Sequence, residues 1–255
     1  MPKPIVPAPT PLANLRDLGG ISVEGGKIRT GLVFRADDVA TTTAEQVAEL
    51  VEAGLRTIID LRSADEAERT GRGPSAEYPV QYLALPLTDS LGAPTEPAGH
   101  LLDSVRSPEH VGQWYAKLLL SQKEALVRGL QAVADSPGAV LFHCAAGKDR
   151  TGLFAAALLA VLGAEPEAIA EDYALTQNRL PGVYRRLGLT DLSSGYGIAA
   201  DHPLLAAHPD AMRSMLATLE ARAGGVAAVL RSGGLSSELV GRLRSKLVQP
   251  VPAQV

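Results

Sequence analysis

The feature that most limits how this chain can fold is the run from Ala139 to Gly163: four apolar residues, AVLF, a polar turn, HCAAGKDRTG, and then LFAAALLAVLG. The tetrapeptide reads as a short strand. The segment TGLFAAALLAVLG has helical composition and no polar face, so the helix it forms must be covered on every side. Its most apolar part, Leu153 to Leu162, is about half of the ~20 residues that cross a bilayer, so it is read as a core helix and not as a membrane anchor. A strand delivered into the same core by a sharp turn therefore sits at the centre of the fold.

The flanking sequence supplies partners. LVFRAD (Leu32 to Asp37) and RTIIDLR (Arg56 to Arg62) are buried strands, and YPVQYLALPL is a third that ends at Pro86. Between the first two, TTTAEQVAELVEAG is a helix: Thr42/Glu45 or Thr43/Gln46 can form a capping box, Val47, Leu50 and Val51 share a face, and Gly54 suits the C-terminal stop. Gly19-Gly20 and Gly25-Gly26 bracket a pair of turns, and residues 90–99 read as a loop. Helical spacing returns at Leu126, Val127, Leu130, Val133 and Ala134. Strands alternating with helices predict an α/β fold, a central, largely parallel sheet flanked by helices. From Ala164 onward only helical signals are found, with Met212, Met215, Leu216 and Leu219 on one stripe. The expected organisation is an extended Pro-rich arm over 1–13 and one domain over 14–255. Within that domain, 178–201 is a lid or a surface connection, and 202–255 carries additional C-terminal helices.

Composition excludes several classes. With 255 residues, 46% of them hydrophobic, the chain can bury a large core as one domain or as one domain with a smaller lobe. A net charge of -4 leaves no basic stripe for duplex nucleic acid. The single cysteine, Cys144, cannot close an internal disulfide, and the opening MPKPIVPAPTPLANL interrupts with proline the apolar run a signal peptide needs. The expectation is a reducing, cytoplasmic setting. His100, His110, His202 and His208 have no spacing that suggests a metal site.

That cysteine sits in the turn. A strand ending at Phe142 and a helix starting near Arg150 leave the backbone between them as a turn whose N–H groups converge on one spot. Orphan amides, a helix N-terminus and a guanidinium fork together bind an oxyanion, and Gly147 lets the chain curl. The turn is not the nucleotide-binding glycine loop: Phe142 stands where its first Gly belongs, and Asp149 where Ser/Thr follows the lysine. A thiol at a helix N-terminus among cations is favoured as thiolate, which makes Cys144 a candidate nucleophile toward a bound phosphate.

Here the chain resembles the protein tyrosine phosphatase superfamily, whose loop is Cys, five residues, Arg, usually with His before and Ser/Thr after: His143, Cys144, Ala145 to Asp149, Arg150 and Thr151. More narrowly it resembles the bacterial atypical tyrosine, dual-specificity and lipid phosphatases with a GKDR loop. NLRDLGG at Asn14 to Gly20, FRAD at Phe34 to Asp37 and DLR at Asp60 to Arg62 match motifs of that group.

The resemblance implies the tyrosine-phosphatase fold and a phosphocysteine mechanism. Cys144 attacks phosphorus while Arg150 and the backbone of Ala145, Ala146, Gly147, Lys148 and Asp149 hold the phosphoryl oxygens. Thr151 donates to the departing thiolate, and His143 orients the loop. The proton donor is Asp89, after the strand QYLALPLT, or Asp149, with the order leaning to Asp89 and Asp60 as a weaker third. Arg16, Arg35 and Arg62 are either structural ion-pair partners or lie on the pocket rim, and Arg185-Arg186 are solvated or meet an acidic substrate. No cofactor and no metal are implied. Lys148 and Asp149 resemble positions of lipid-phosphatase loops, while Ala145 stands where such enzymes often carry a second lysine. Expected substrates are therefore phosphotyrosine, phosphoserine or phosphothreonine proteins, with phosphoinositides or a small phosphorylated metabolite as alternatives. Two other readings are weaker. Arsenate reduction with this loop needs further cysteines, and sulfur transferases lack the GKDRTG continuation; a non-catalytic phosphate-binding module normally loses the Cys or the Arg.

Overall fold

The apolar, β-branched runs become strands, and the turn glycines separate them. A computed structural model describes residues 9–87, 104–188 and 201–250. In chain order its strands and helices are β1 (Arg16–Asp17), β2 (Ser22–Val23), β3 (Gly26–Ile28), β4 (Val33–Ala36), α1 (Ala44–Glu52), β5 (Leu55–Asp60), α2 (Ala64–Thr70) and β6 (Gln81–Ala84). These are followed by α3 (Pro108–Ser121), α4 (Lys123–Asp135), β7 (Ala139–His143), α5 (Asp149–Val161), α6 (Pro166–Ala174), α7 (Leu180–Arg186), α8 (Pro209–Ala223), α9 (Val226–Ser232), α10 (Ser237–Leu247) and β8 (Val248–Pro250).

The main sheet has the order β1-β4-β7-β5-β6. β4, β7, β5 and β6 run parallel, and only β1 is antiparallel, so the largely parallel sheet expected from the βα alternation is present. β7 is flanked on both sides, which is why all five of its residues are buried. Its pleat sends Val140 and Phe142 into the larger core and Leu141 into a smaller one that also holds Leu12, Leu55, Ile58 and Val80. α1 lies on β5, while α5 packs against β4 and β7. Within α5 every residue from Arg150 to Leu159 is buried, as its all-round apolar sequence requires.

The capping prediction for α1 holds in part. Thr43 accepts the Gln46 N–H, but the Gln46 side chain turns to the Leu12 N–H and the Thr42 hydroxyl, tying the N-terminal segment down. That segment is not a free arm from residue 9 onward: Leu12 is buried and the Asn14 N–H reaches Asp37 at 2.8 Å. Three helices were not anticipated, α2, α3 and α7. α3 packs along α8, where Gly112 allows the close approach; a Cβ there would stand 2.3 Å from the Ala211 carbonyl oxygen. The C-terminal region was read as helical only, yet β8 adds a strand to the β2–β3 hairpin, pairing Ile28 with Val248.

Of the 178–201 segment, residues 180–186 form α7, and 189–200 lie outside the described residues. α7 is anchored by Arg186, which is buried and bonds Asp37 (2.6 Å), the Pro11 and Asp38 carbonyls and Thr41. The Arg185-Arg186 pair is thus divided: Arg185 is exposed, and Arg186 is neither solvated nor free for a substrate.

Candidate active site

β7 ends at His143 and α5 begins at Asp149, with Lys148 as its N-cap, so the intervening residues must reverse direction within one turn. What shapes that turn lies outside it. The Ala145 carbonyl accepts the Asp38 N–H at 3.0 Å. Asn14 Nδ2 donates to the carbonyls of Ala146 (3.1 Å) and Gly147 (3.0 Å), and Arg35 Nη2 donates to the latter at 2.9 Å. A planar trans peptide places the following N–H opposite its carbonyl. Three carbonyls drawn outward therefore turn the amides of Ala146, Gly147 and Lys148 toward the inside of the loop. Gly147 has φ +67°, and a Cβ would lie 2.5 Å from the Ala36 carbonyl oxygen, so only glycine fits.

Cys144 is buried at the loop's base, 2% exposed, and the Thr151 hydroxyl donates to its Sγ at 3.1 Å. His143 Nδ1 is 3.2 Å from the Cys144 carbonyl oxygen, which can only accept, so Nδ1 carries a proton. Complete burial lowers the imidazole's pKa against the pull of Asp60 and Asp38, which favours a neutral ring.

Arg150 is buried, and both of its terminal nitrogens engage Glu66 of α2, Nη2 at 2.9 Å from Oε1 and Nη1 to Oε2. Arg150 Nε is buried and has no hydrogen-bond partner among the described residues, a donor left over. Glu66 is doubly used, since its Oε2 also accepts the Ser63 N–H (2.8 Å) in a capping box that starts α2. Burial pushes the Glu66 carboxyl up, but the Arg150 hydrogen bonds and charge, with the Ser63 contacts, outweigh it and hold the group at about 2. Glu66 is therefore ionised throughout the neutral range.

The three supporting arginines are buried and ion-paired. Arg16 Nε meets Asp172 Oδ1 at 2.9 Å and Arg35 Nη1 meets Asp172 Oδ2 at 2.5 Å, all three residues being buried. Arg16 Nη1 also bonds Asn14 Oδ1 at 2.6 Å, which orients the amide that holds the loop. Arg62 is bound to Asp60 (2.6 Å), to Asp38 (3.0 Å) and to the Gly71 carbonyl. Asp60 is thereby committed to Arg62 and to the Tyr82 hydroxyl, which removes the reason for counting it among the proton donors.

Asp172 neutralises two guanidinium groups at once, so Asp172→Asn should be costly. Breaking one side of a buried ion pair costs about 3–5 kcal/mol, and chemical denaturation should show a loss of that order. The two arginines hold the Asp172 carboxyl below its usual pKa range although burial alone would raise it. A depressed folded-state pKa contributes stability above the unfolded carboxylate value, and that contribution is lost as pH falls. The gap between wild type and variant should therefore narrow in acid.

The side chain of Lys148 turns away from the loop that its amide faces. Its Nζ is turned into the protein, donating to the Leu204 carbonyl and to that of Ala206 (3.3 Å), and the residue is 3% exposed. Asp149 is at the first position of α5, 3.5 Å from Lys148 Nζ, and its Oδ1 accepts the Tyr115 hydroxyl at 2.5 Å. Asp89 and His100 lie outside the described residues. His110, His202 and His208 each accept a backbone N–H at a turn or helix start, and no group of metal-binding side chains occurs among the described residues. No described helix is long and apolar enough to cross a membrane.

Sequence reasoning missed Glu66, Asp172 and Tyr115. For Glu66 a signal existed, the Ser63-x-x-Glu66 capping pattern just after the DLR strand end. Asp172 and Tyr115 carry no local mark.

An oxyanion-binding turn between a buried strand and a buried helix, holding a cysteine at its base and an arginine at its end, defines a cysteine-dependent phosphatase of the tyrosine phosphatase type. Residues 9–249 match the tyrosine phosphatase family, and the chain belongs to it. Among similar proteins, a tyrosine-protein phosphatase of Nostoc commune is 28% identical across 84% of this chain and 74% of that one. The triple specificity protein phosphatase PtpB of Mycobacterium tuberculosis is 23% identical across 92% of this chain and 96% of its own. Among solved structures, P. aeruginosa TpbA matches 86% of this chain and 98% of that one at 20% identity, with a TM-score of 0.41.

Proposed function

We propose that the protein hydrolyses phosphomonoesters of protein side chains, phosphotyrosine foremost, through a phosphocysteine at Cys144. The observation that carries this reading is the loop itself: three carbonyls clamped outward, a buried thiol receiving the Thr151 hydroxyl, and Arg150 held by Glu66 with Nε to spare. The Sγ lone pair forms the S–P bond as the P–O bond breaks, and the ester oxygen leaves with the bonding pair and takes a proton from a carboxylic acid. Water then attacks phosphorus, giving its proton to the same carboxylate, and the thiolate departs toward the Thr151 hydroxyl. The inward amides and the unpartnered Nε of Arg150 fit the charge that spreads over the equatorial oxygens.

Protein substrates are favoured over phosphoinositides by Lys148. An ammonium already spent on two backbone carbonyls is not presented to a second phosphate group. PtpB is by its name a triple specificity protein phosphatase, which supports more than one kind of substrate. The test is phosphate release from p-nitrophenyl phosphate in EDTA, followed by phosphopeptides, phosphoinositides and sugar or nucleotide monophosphates side by side. Phosphotyrosine peptides should be turned over fastest. A faster rate on any phosphoinositide or metabolite would overturn the assignment of substrate class.

For the proton donor we propose Asp149, which stands at the loop with an oxygen fixed by Tyr115, and Asp89 is the competing residue. Loss of the true acid should cost roughly 10²–10⁴ in rate with a poor leaving group and much less with one that departs unprotonated. Asp149→Asn and Asp89→Asn, compared on aryl phosphates of rising leaving-group pKa, give the answer. A steep dependence for Asp89→Asn alone would move the role to Asp89.

A further inference from the structure

Two buried hydroxyls remain that the mechanism does not use. Tyr115 on α3 and Tyr173 on α6 are 0% and 1% exposed, with rings edge-on at 78° and centroids 6.0 Å apart. Their hydroxyl oxygens are 2.8 Å apart, and the Tyr115 oxygen is 2.5 Å from Asp149 Oδ1. Phenylalanine rings would pack as well, so the hydroxyls need a reason to be there, because each buried O–H must be satisfied. The geometry allows one consistent direction. The carboxylate can only accept, so Tyr115 donates to Asp149, and Tyr173 donates to Tyr115. Burial raises both phenols, more so beside the negative Asp149, so neither ionises in any working range and both remain donors. One oxygen of Asp149 is thus held by Tyr115, while the side chain as a whole stays 21% exposed.

We propose that Tyr115 and Tyr173 are positioning residues, a hydrogen-bonded pair that fixes the Asp149 carboxyl beside the phosphate loop and tunes it for proton transfer. This rests on the reading of Asp149 as the proton donor of the phosphocysteine reaction. The charged and titratable groups facing the cluster are Lys148 and Arg150 from Asp149's own turn, and Arg35 and Tyr184 on the side of Tyr173. None of them replaces the Tyr115 hydroxyl: Lys148 Nζ stands 3.5 Å from the same Asp149 oxygen but donates its hydrogen bonds to the Leu204 and Ala206 carbonyls, Arg150 is paired with Glu66, Arg35 with Asp172, and the Tyr184 hydroxyl with the Leu205 carbonyl.

The experiment is the pH profile of kcat/KM for Tyr115→Phe on phosphotyrosine, with p-nitrophenyl phosphate as the good leaving group. A hydrogen bond donated to a carboxylate favours its ionised form, so removing it raises the acid's pKa. The protonated acid then persists to higher pH, and the basic limb should move upward by about one pH unit. kcat should fall on phosphotyrosine far more than on p-nitrophenyl phosphate, and Tyr173→Phe should produce a smaller shift in the same direction. In an Asp149→Asn background both effects should vanish. An unmoved basic limb, or an equal loss on both substrates and in both backgrounds, would show that the tyrosines only pack. If Tyr115→Phe does not fold, Tyr173→Phe, one bond further from the carboxyl, decides the matter by the same two readouts. An Asp149→Asn variant that keeps the shallow wild-type dependence on leaving-group pKa would defeat the reading of Asp149 as the acid instead, so the two failures are distinguishable.

Discussion

Cys144→Ser should abolish turnover and phosphoenzyme formation while leaving the fold and the binding of inorganic phosphate intact. The substitution replaces one buried atom that is 2% exposed and already hydrogen-bonded to Thr151, so a serine hydroxyl inherits the same partner and the same space. None of the groups that shape the loop touches the sulfur: the carbonyls are held by the Asp38 N–H, Asn14 and Arg35, and Arg150 is held by Glu66. Only the nucleophile is lost, because an alcohol oxygen is a far weaker nucleophile and a poorer leaving group than a thiol sulfur. Intact-mass detection of a phosphorylated enzyme after rapid quench, together with calorimetric phosphate binding, separates the two consequences. A serine variant that still turns over phosphotyrosine would rule out attack by Cys144.

Arg150→Lys should be the next most severe change, lowering kcat on the order of 10²–10³, the cost of removing one preorganised donor at the developing charge. A guanidinium has five N–H donors in one plane. Two of them meet Glu66, and Nε has no partner among the described residues. An ammonium is a point charge that can face the phosphate or Glu66 but cannot fork to both. Glu66→Gln is the companion measurement. It keeps a hydrogen-bond acceptor but removes the charge that balances a buried guanidinium, so kcat should fall less than for Arg150→Lys and KM should rise. Because the Glu66 carboxyl is held at about 2, the wild-type acidic limb above pH 4 should not belong to it and should survive in the variant. If Arg150→Lys left kcat near wild type, the fork would not be binding the transition state.

What could be read from the chain was what lies close together in sequence. AVLF, the turn and the all-apolar helix form a contiguous strand, loop and helix, so their burial and the convergence of Cys144, Thr151 and Arg150 follow from adjacency. The same adjacency made the positions of β4, α1 and β5 legible. α2 escaped because it has no buried residue and hence no apolar stripe, although its capping pattern was present. α3 escaped although its inward residues, Val111, Tyr115, Leu118 and Leu119, recur at i, i+4, i+7 and i+8, a helical stripe that was present in the sequence. The side-chain contacts of Lys148 were not legible because its acceptors are backbone carbonyls 56 and 58 residues later, which no side-chain pattern announces. Arg16 and Arg35 looked alike as structural or rim residues until Asp172 stood between them.

That arrangement has a consequence for the order in which the chain is made. The arginines emerge first, and their shared counter-ion follows 156 and 137 residues later. A nascent chain that has reached Gly163 already carries the strand, the turn and the helix, but the guanidinium groups of Arg16 and Arg35 have no anion, and Arg35 has no reason to stay buried and hold Gly147. Contacts this distant are also the slow ones to form. The thiol is therefore synthesised well before its cradle can close, so catalytic competence arrives as a late step of folding, after α6 has docked.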